Sequence, residues 1–258
     1  MTGLITALDF AETKDARALA SVLDPARTRL KIGNELFTAA GPAFVEELQG
    51  LGFEIFLDLK YHDIPNTVGA AVARAAALGV WMVNVHASGG RRMLDAARES
   101  VERYQGEQGG TRIIAVTVLT SLERHDLLDI GLDTEPVEQV DRLACLSLDA
   151  GLDGIVCSPR EIARVREQIP GEFLLVTPGI RAASVASDAD DQRRTMIPGA
   201  AIRAGADYLV IGRPITRAAR PLDALAAIAS ECDTAWRERH STLAAMTGDS
   251  QATAGERT

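Results

Sequence analysis

Three side chains of opposite sign gather in the stretch Asp58-Leu59-Lys60-Tyr61-His62-Asp63-Ile64-Pro65-Asn66-Thr67. The apolar run Ile55-Phe56-Leu57 ahead of it reads as a buried strand, and the Ala-rich segment behind it as a helix. Pro65 stands at a first helical position, where a missing N–H costs nothing. Strand side chains alternate between faces, so Asp58 and Lys60 are expected on the face of Phe56, with Leu57 and Leu59 opposite. A carboxylate and an ammonium projecting together from a strand end can hold or move a proton and stabilise developing charge. The competing reading is a solvated rim. It is disfavoured by the apolar residues around the pair, because uncompensated charge near a core is costly.

The elements that would position this cluster follow from the patterning of the whole chain. Short apolar runs recur at Leu4–Leu8, Arg29–Ile32, Glu54–Lys60, Trp81–His86, Arg112–Leu119, Gly154–Cys157, Phe173–Thr177 and Tyr208–Gly212. Between them lie segments with apolar spacing of three and four, which predict helices over Ala16–Leu23, Pro42–Leu48, Pro65–Leu78, Arg91–Tyr104, Pro136–Ala150, Pro159–Ile169, Arg194–Ala204 and Pro221–Arg239. Strands alternating with helices in this way predict a closed parallel (β/α)8 barrel of the TIM type in a single domain over residues 1–240. An open doubly wound sheet is the alternative, but no Gly-x-Gly-x-x-Gly follows the first strand. Residues 241–258 carry almost no apolar periodicity and are read as a disordered tail.

In such a barrel, catalytic groups come from the C-terminal ends of the strands. The first strand delivers Asp9, the second Lys31, the third Asp58 and Lys60. Lys60, flanked by carboxylates, reads as a proton donor rather than a Schiff-base nucleophile. The seventh and eighth strands run into Thr177-Pro178-Gly179-Ile180-Arg181 and Ile211-Gly212-Arg213-Pro214-Ile215-Thr216. Each brings Gly and Arg to the rim where this fold usually binds phosphate: Gly admits backbone N–H groups and the Arg fork matches phosphate oxygens. Arg181, Gly212 and Arg213 are therefore phosphate-site candidates, with a surface ion pair as the bland alternative for the two arginines. The polar connection of residues 182–193 is read as a lid carrying Gln192 to the ligand. Thr120 and Ser121 are hydroxyl donors for a base edge, or simple caps. His86 has no second ligand at metal spacing and reads as a buried structural histidine. Nothing demands a cofactor or a metal.

Composition sets limits on partners. The chain of 258 residues has a net charge of −9 and a pI near 5.0, which argues against nucleic-acid or anionic-membrane surfaces and leaves room for a local basic pocket. Its cysteines, Cys145, Cys157 and Cys232, are odd in number and match no metal spacing, which suits a reducing cytoplasm. No basic-then-apolar leader and no bilayer-length apolar run is present, so a cytoplasmic protein is expected.

The segment Asp58-x-Lys60-x-x-Asp63-Ile64-Pro65-Asn66-Thr67 resembles the signature of the orotidine 5′-phosphate decarboxylase family, and of its bacterial branch in particular. The likeness extends through Ala7-Leu8-Asp9, Lys31-Ile32-Gly33, Val116-Thr117-Val118-Leu119-Thr120-Ser121, Thr177-Pro178-Gly179-Ile180-Arg181, Asp191-Gln192 and Gly212-Arg213-Pro214-Ile215-Thr216, about residues 4 to 230 in order. The resemblance implies cofactor-free decarboxylation of orotidine 5′-phosphate to UMP and CO2, the last step of de novo UMP synthesis. It implies Lys60 as the acid that protonates C6, in a network with Lys31, Asp58 and Asp63. It also implies a homodimer in which Asp63, Ile64 and Thr67 cross the interface. Asp9 would hold the ribose, Thr120 or Ser121 the pyrimidine, and Arg181, Gln192, Gly212 and Arg213 the phosphate side. Two rivals are weighed: a metal-dependent sugar-phosphate decarboxylase or synthase on the same barrel, and a catalytically silent phosphate-binding barrel.

Overall fold

A computed structural model describes residues 3–103, 110–181 and 196–252, the last of these by backbone alone from residue 242. Eight strands, β1 (Leu4–Ala7), β2 (Arg29–Gly33), β3 (Ile55–Tyr61), β4 (Met82–His86), β5 (Arg112–Val116), β6 (Gly154–Val156), β7 (Leu174–Thr177) and β8 (Tyr208–Ile211), close a barrel in sequence order. Every neighbouring pair is parallel, including β1 with β8. The expected TIM barrel is the architecture observed.

The strands are apolar on both faces because both are buried. Ile5, Ala7, Phe56, Met82, Ile114, Val176 and Val210 fill the barrel interior as one cluster. The alternate residues, among them Leu4, Leu30, Ile32, Ile55, Leu57, Val83, Ile113, Ile155, Leu175 and Leu209, face outward and join the larger core beneath the helices. The N-terminal end of the barrel is plugged by Arg29, whose guanidinium lies 4.2 Å from the Trp81 ring centre and 5.3 Å from that of Tyr208. Arg112 donates to the Tyr208 hydroxyl at 2.8 Å. The other end stays open.

The helices are α1 (Thr13–Ala20), α2 (Asn34–Gly50), α3 (Pro65–Ala77), α4 (Arg91–Glu102), α5 (Arg124–Asp129), α6 (Pro136–Asp149), α7 (Ile162–Gln168), α8 (Pro198–Ala204), α9 (Arg213–Thr216) and α10 (Pro221–Ala252). Several depart from the sequence reading for local reasons. Helix α2 begins at Asn34, well before Pro42, and breaks at Gly41, whose φ of +67° only glycine adopts freely. Helix α7 begins after Pro159. Helix α8 begins at Pro198 because Met196 is held in a parallel bridge to Ile180. Helix α10 runs to Ala252, so the backbone of residues 241–252, expected to be a disordered tail, continues as helix. Leu243, Ala244, Ala245 and Met246 are strong helix formers with no proline among them, so local propensity outweighs the missing periodicity. The proposed lid with Gln192 lies outside the described residues.

Candidate active site

The open end of the barrel is a cavity of about 740 Å3. It is lined by Asp9, Lys31, Asp58 and Lys60 from the first three strands, by Thr120 after β5, and by Arg181, Gly212 and Arg213 after β7 and β8. Its floor is apolar: Ala7, Phe56, Val156, Val176 and Val210 close it from below. Such a site offers a few placed charges above an apolar floor.

Each charge is delivered by the end of a strand. Beyond β1 the Leu8 N–H still donates to the Lys31 carbonyl at 3.0 Å, so Asp9 is the first residue free to turn over the mouth. Lys31 lies within β2 and is buried; its Nζ stands 3.1 Å from Asp9 Oδ1 and 3.2 Å from Asp58 Oδ2. Asp58 is buried too, and its other oxygen, Oδ1, accepts from Lys60 Nζ at 2.6 Å and from Asn84 Nδ2 at 2.7 Å. The result is a continuous chain Asp9, Lys31, Asp58, Lys60 of alternating sign.

Burial would push the Asp58 carboxyl up, but Lys31, Lys60 and the Asn84 amide outweigh it and hold the group below its ordinary value. Burial would likewise pull Lys31 down, and Asp58 and Asp9 reverse that, leaving Lys31 above its ordinary value. Each buried charge is thus kept ionised by its neighbours. Gly33 makes room for this pairing, since a Cβ there would meet Lys31 Nζ at 3.2 Å.

Lys60 reaches the cavity on the face of Phe56 and Asp58, as alternation predicts, but through irregular backbone. In β3 the ladder to β4 slips between Leu57, opposite Val83, and Tyr61, opposite Val85. Lys60 sits in the slip with φ +52°, left-handed backbone that costs a non-glycine residue about 1–3 kcal/mol. Its N–H, which the irregular ladder no longer pairs, donates to Asn84 Oδ1 at 2.8 Å. Asn84 escaped the sequence reading. The available signal was a lone amide in the apolar strand Met82-Val83-Asn84-Val85, where a buried polar group must find partners.

Two residues beyond β7, Gly179 takes φ +79°, and the Arg181 N–H donates to Met196 O at 3.0 Å. Gly212 precedes α9 and packs beside Asp9: a Cβ there would stand 3.4 Å from Asp9 Oδ2. Arg217, one turn beyond Arg213, also lines the cavity and was not anticipated. Four expected site residues lie off this wall. Ser121, Asp63, Ile64 and Thr67 are all exposed and do not line the cavity. Asp63 Oδ1 accepts the Ile64 N–H at 2.6 Å. His86 is half-buried rather than buried, its ring centre 5.5 Å from that of His62. Burial, then His62 and Lys60, hold it below the ordinary histidine value. Among the described residues no group of three or more His, Cys, Asp or Glu is placed to hold a metal ion, and no helix is long and apolar enough to cross a membrane.

Residues 2–228 match the model of a family described as "Orotidine 5'-phosphate decarboxylase / HUMPS family". A protein of Chromohalobacter salexigens named orotidine 5′-phosphate decarboxylase is 57% identical over 230 residues, which cover 89% of this chain and 95% of that one. One of the same name from Nitrosospira multiformis is 59% identical over 218 residues, 84% of this chain and 88% of that one. The crystal structure of orotidine 5′-phosphate decarboxylase from Lactobacillus acidophilus superposes with a TM-score of 0.79 at 36% identity, covering 90% of this chain and 99% of that one.

Proposed function

Since the chain belongs to the orotidine 5′-phosphate decarboxylase / HUMPS family, we propose that it converts orotidine 5′-phosphate to UMP and CO2, the last step of UMP biosynthesis. The observation that carries this reading is the Lys31–Asp58–Lys60 chain at the barrel mouth, which lines one cavity together with Arg181, Gly212 and Arg213.

The chemistry asks for what these residues supply. As the bond from C6 to the carboxylate carbon breaks, CO2 leaves and the electron pair stays on C6, where the pyrimidine ring cannot delocalise it well. Stabilisation must then come from placed charge. Lys60 Nζ, held 2.6 Å from Asp58, supplies the positive charge and then transfers its proton to C6; solvent restores that proton. Asp58 holds Lys60 in place from one side, and Lys31 holds Asp58. Asp9 takes the ribose hydroxyls and Thr120 the pyrimidine edge. Arg181, Gly212 and Arg213 take the 5′-phosphate, with Gln192 completing that end. Binding energy from the phosphate, remote from C6, would hold the ring against Lys60.

The second half of the proposal is a homodimer. Asp63, Ile64 and Thr67 do not line the cavity of their own chain, and the apolar residue Ile64 is 66% exposed. These three would reach a partner's cavity and cover each other's apolar surface there. The free thiols, Cys157 and Cys232 buried among them, fit a cytoplasmic setting.

Loss of the ultraviolet band of orotidine 5′-phosphate on adding the purified chain tests the reading, with chelator present and Lys60→Ala alongside. Turnover by wild type alone is expected. Activity abolished by chelator would favour a metal-dependent sugar-phosphate enzyme, and nucleotide binding without turnover a silent barrel.

A further inference from the structure

We infer that Asn84 is a positioning residue of the decarboxylation centre, one amide that holds both the backbone of Lys60 and the carboxylate of Asp58; this rests on the decarboxylase reading above. The Lys60 N–H donates to Asn84 Oδ1 at 2.8 Å, which fixes the orientation of the amide: the oxygen must face that donor. Its NH2 group then has to face Asp58, and Nδ2 lies 2.7 Å from Oδ1, the same oxygen that Lys60 Nζ approaches at 2.6 Å. One side chain therefore pins the acid and the base of the pair relative to each other.

Neither near-isosteric replacement meets both demands. Leucine, of similar shape, would leave the left-handed Lys60 backbone with an unpaired N–H and Asp58 short of a donor. Aspartate would keep the acceptor for the N–H but set two carboxylate oxygens about 2.7 Å apart. Asn84 is itself fully buried in β4 and absent from the cavity wall, so it acts through Lys60 and Asp58 and not by touching a nucleotide. Its loss should move the proton donor away from C6 while leaving the phosphate grip alone.

The test compares wild type, Asn84→Ala and Asn84→Asp by kcat and KM for orotidine 5′-phosphate across pH, with thermal unfolding to establish that each is folded. Asn84→Ala is expected to lower kcat on the order of 100-fold, the cost of misplacing a reacting group by about 1 Å, with little change in KM. Asn84→Asp should be poorest at alkaline pH and recover as pH falls, because a proton shared by the two carboxyls restores a donor between them. The charged and titratable groups around the site are Lys31 on β2, Asp9 after β1, Lys60 on β3, His62 after it and His86 on β4. Wild type carries them all, so its profile supplies the baseline. A folded Asn84→Ala with the kcat of wild type, or an Asn84→Asp profile parallel to wild type, would overturn the inference. If Asn84→Ala does not fold, the near-isosteric Asn84→Asp decides alone. A wild type that turns over no substrate would instead defeat the decarboxylase reading.

Discussion

Lys31 Nζ and Asp58 Oδ2 face each other at 3.2 Å inside the barrel mouth, with only 10% and 12% of their side chains exposed. A buried pair of this kind holds only because each charge has further partners, Asp9 for Lys31 and Lys60 with Asn84 for Asp58. Removing one member strands the others.

That arrangement gives a pH dependence of stability with a definite sign. Asp58 is held below its ordinary value of 3.8, so its contribution is complete above that pH and disappears as pH falls through the lowered value. Lys31 is held above its ordinary 10.5, so its contribution is complete below that pH and is lost as pH rises through the raised value. Asp58→Asn should cost roughly 3 kcal/mol at neutral pH, the usual scale for breaking a buried pair. The gap from wild type should close in strong acid. Urea unfolding of both proteins against pH measures it; a gap that does not narrow on acidification would contradict the assignment.

At the other rim, Arg213→Ala should reduce kcat/KM for orotidine 5′-phosphate by several orders of magnitude. Steady-state kinetics give the value directly. A loss of less than about tenfold, 1.4 kcal/mol of transition-state binding, would remove Arg213 from the phosphate site.

The proposed exchange of residues between subunits predicts complementation. Lys60→Ala and Asp63→Ala should each be nearly inactive alone. Mixed and allowed to exchange, they should regain activity, because one site of the heterodimer combines an intact Lys60 with the partner's intact Asp63. A mixture as dead as its parts, in samples shown to have exchanged, would place Asp63 in its own chain's site.

Barrel closure can be tested far from the chemistry. A Cβ on Gly154 would meet the Leu174 carbonyl oxygen at 2.3 Å and its carbonyl carbon at 2.9 Å, and backbone cannot yield as a side chain does. Gly154→Ala should therefore destabilise by about 1–3 kcal/mol, the range for overpacking. That corresponds to a fall in Tm of about 2–4 °C per kcal/mol for a chain of this size. An unchanged Tm would mean that β6 and β7 separate more readily than their register implies.

The eight strands, most of the helices and the location of the charge cluster were legible in the sequence, because apolar periodicity and strand-end charges are local properties of the chain. So was the delivery of Asp9, Lys31, Asp58, Lys60, Arg181, Gly212 and Arg213 to the same mouth, once the barrel was inferred. The periodicity could not show that Lys60 sits in left-handed backbone, since the slip arises from the register of β3 against β4 and not from the residues of β3 alone. Nor could it pair Asn84 with Asp58, 26 positions away. That contact exists because two neighbouring strands bring their buried faces together at one height. The placement of Asp63, Ile64 and Thr67 outside their own cavity was likewise decided in three dimensions. Sequence order places them three to seven residues from Lys60, yet the turn into α3 carries them past the rim. Local pattern determines which segments are strands and which carry charge; only the closing of the barrel determines which of those charges meet.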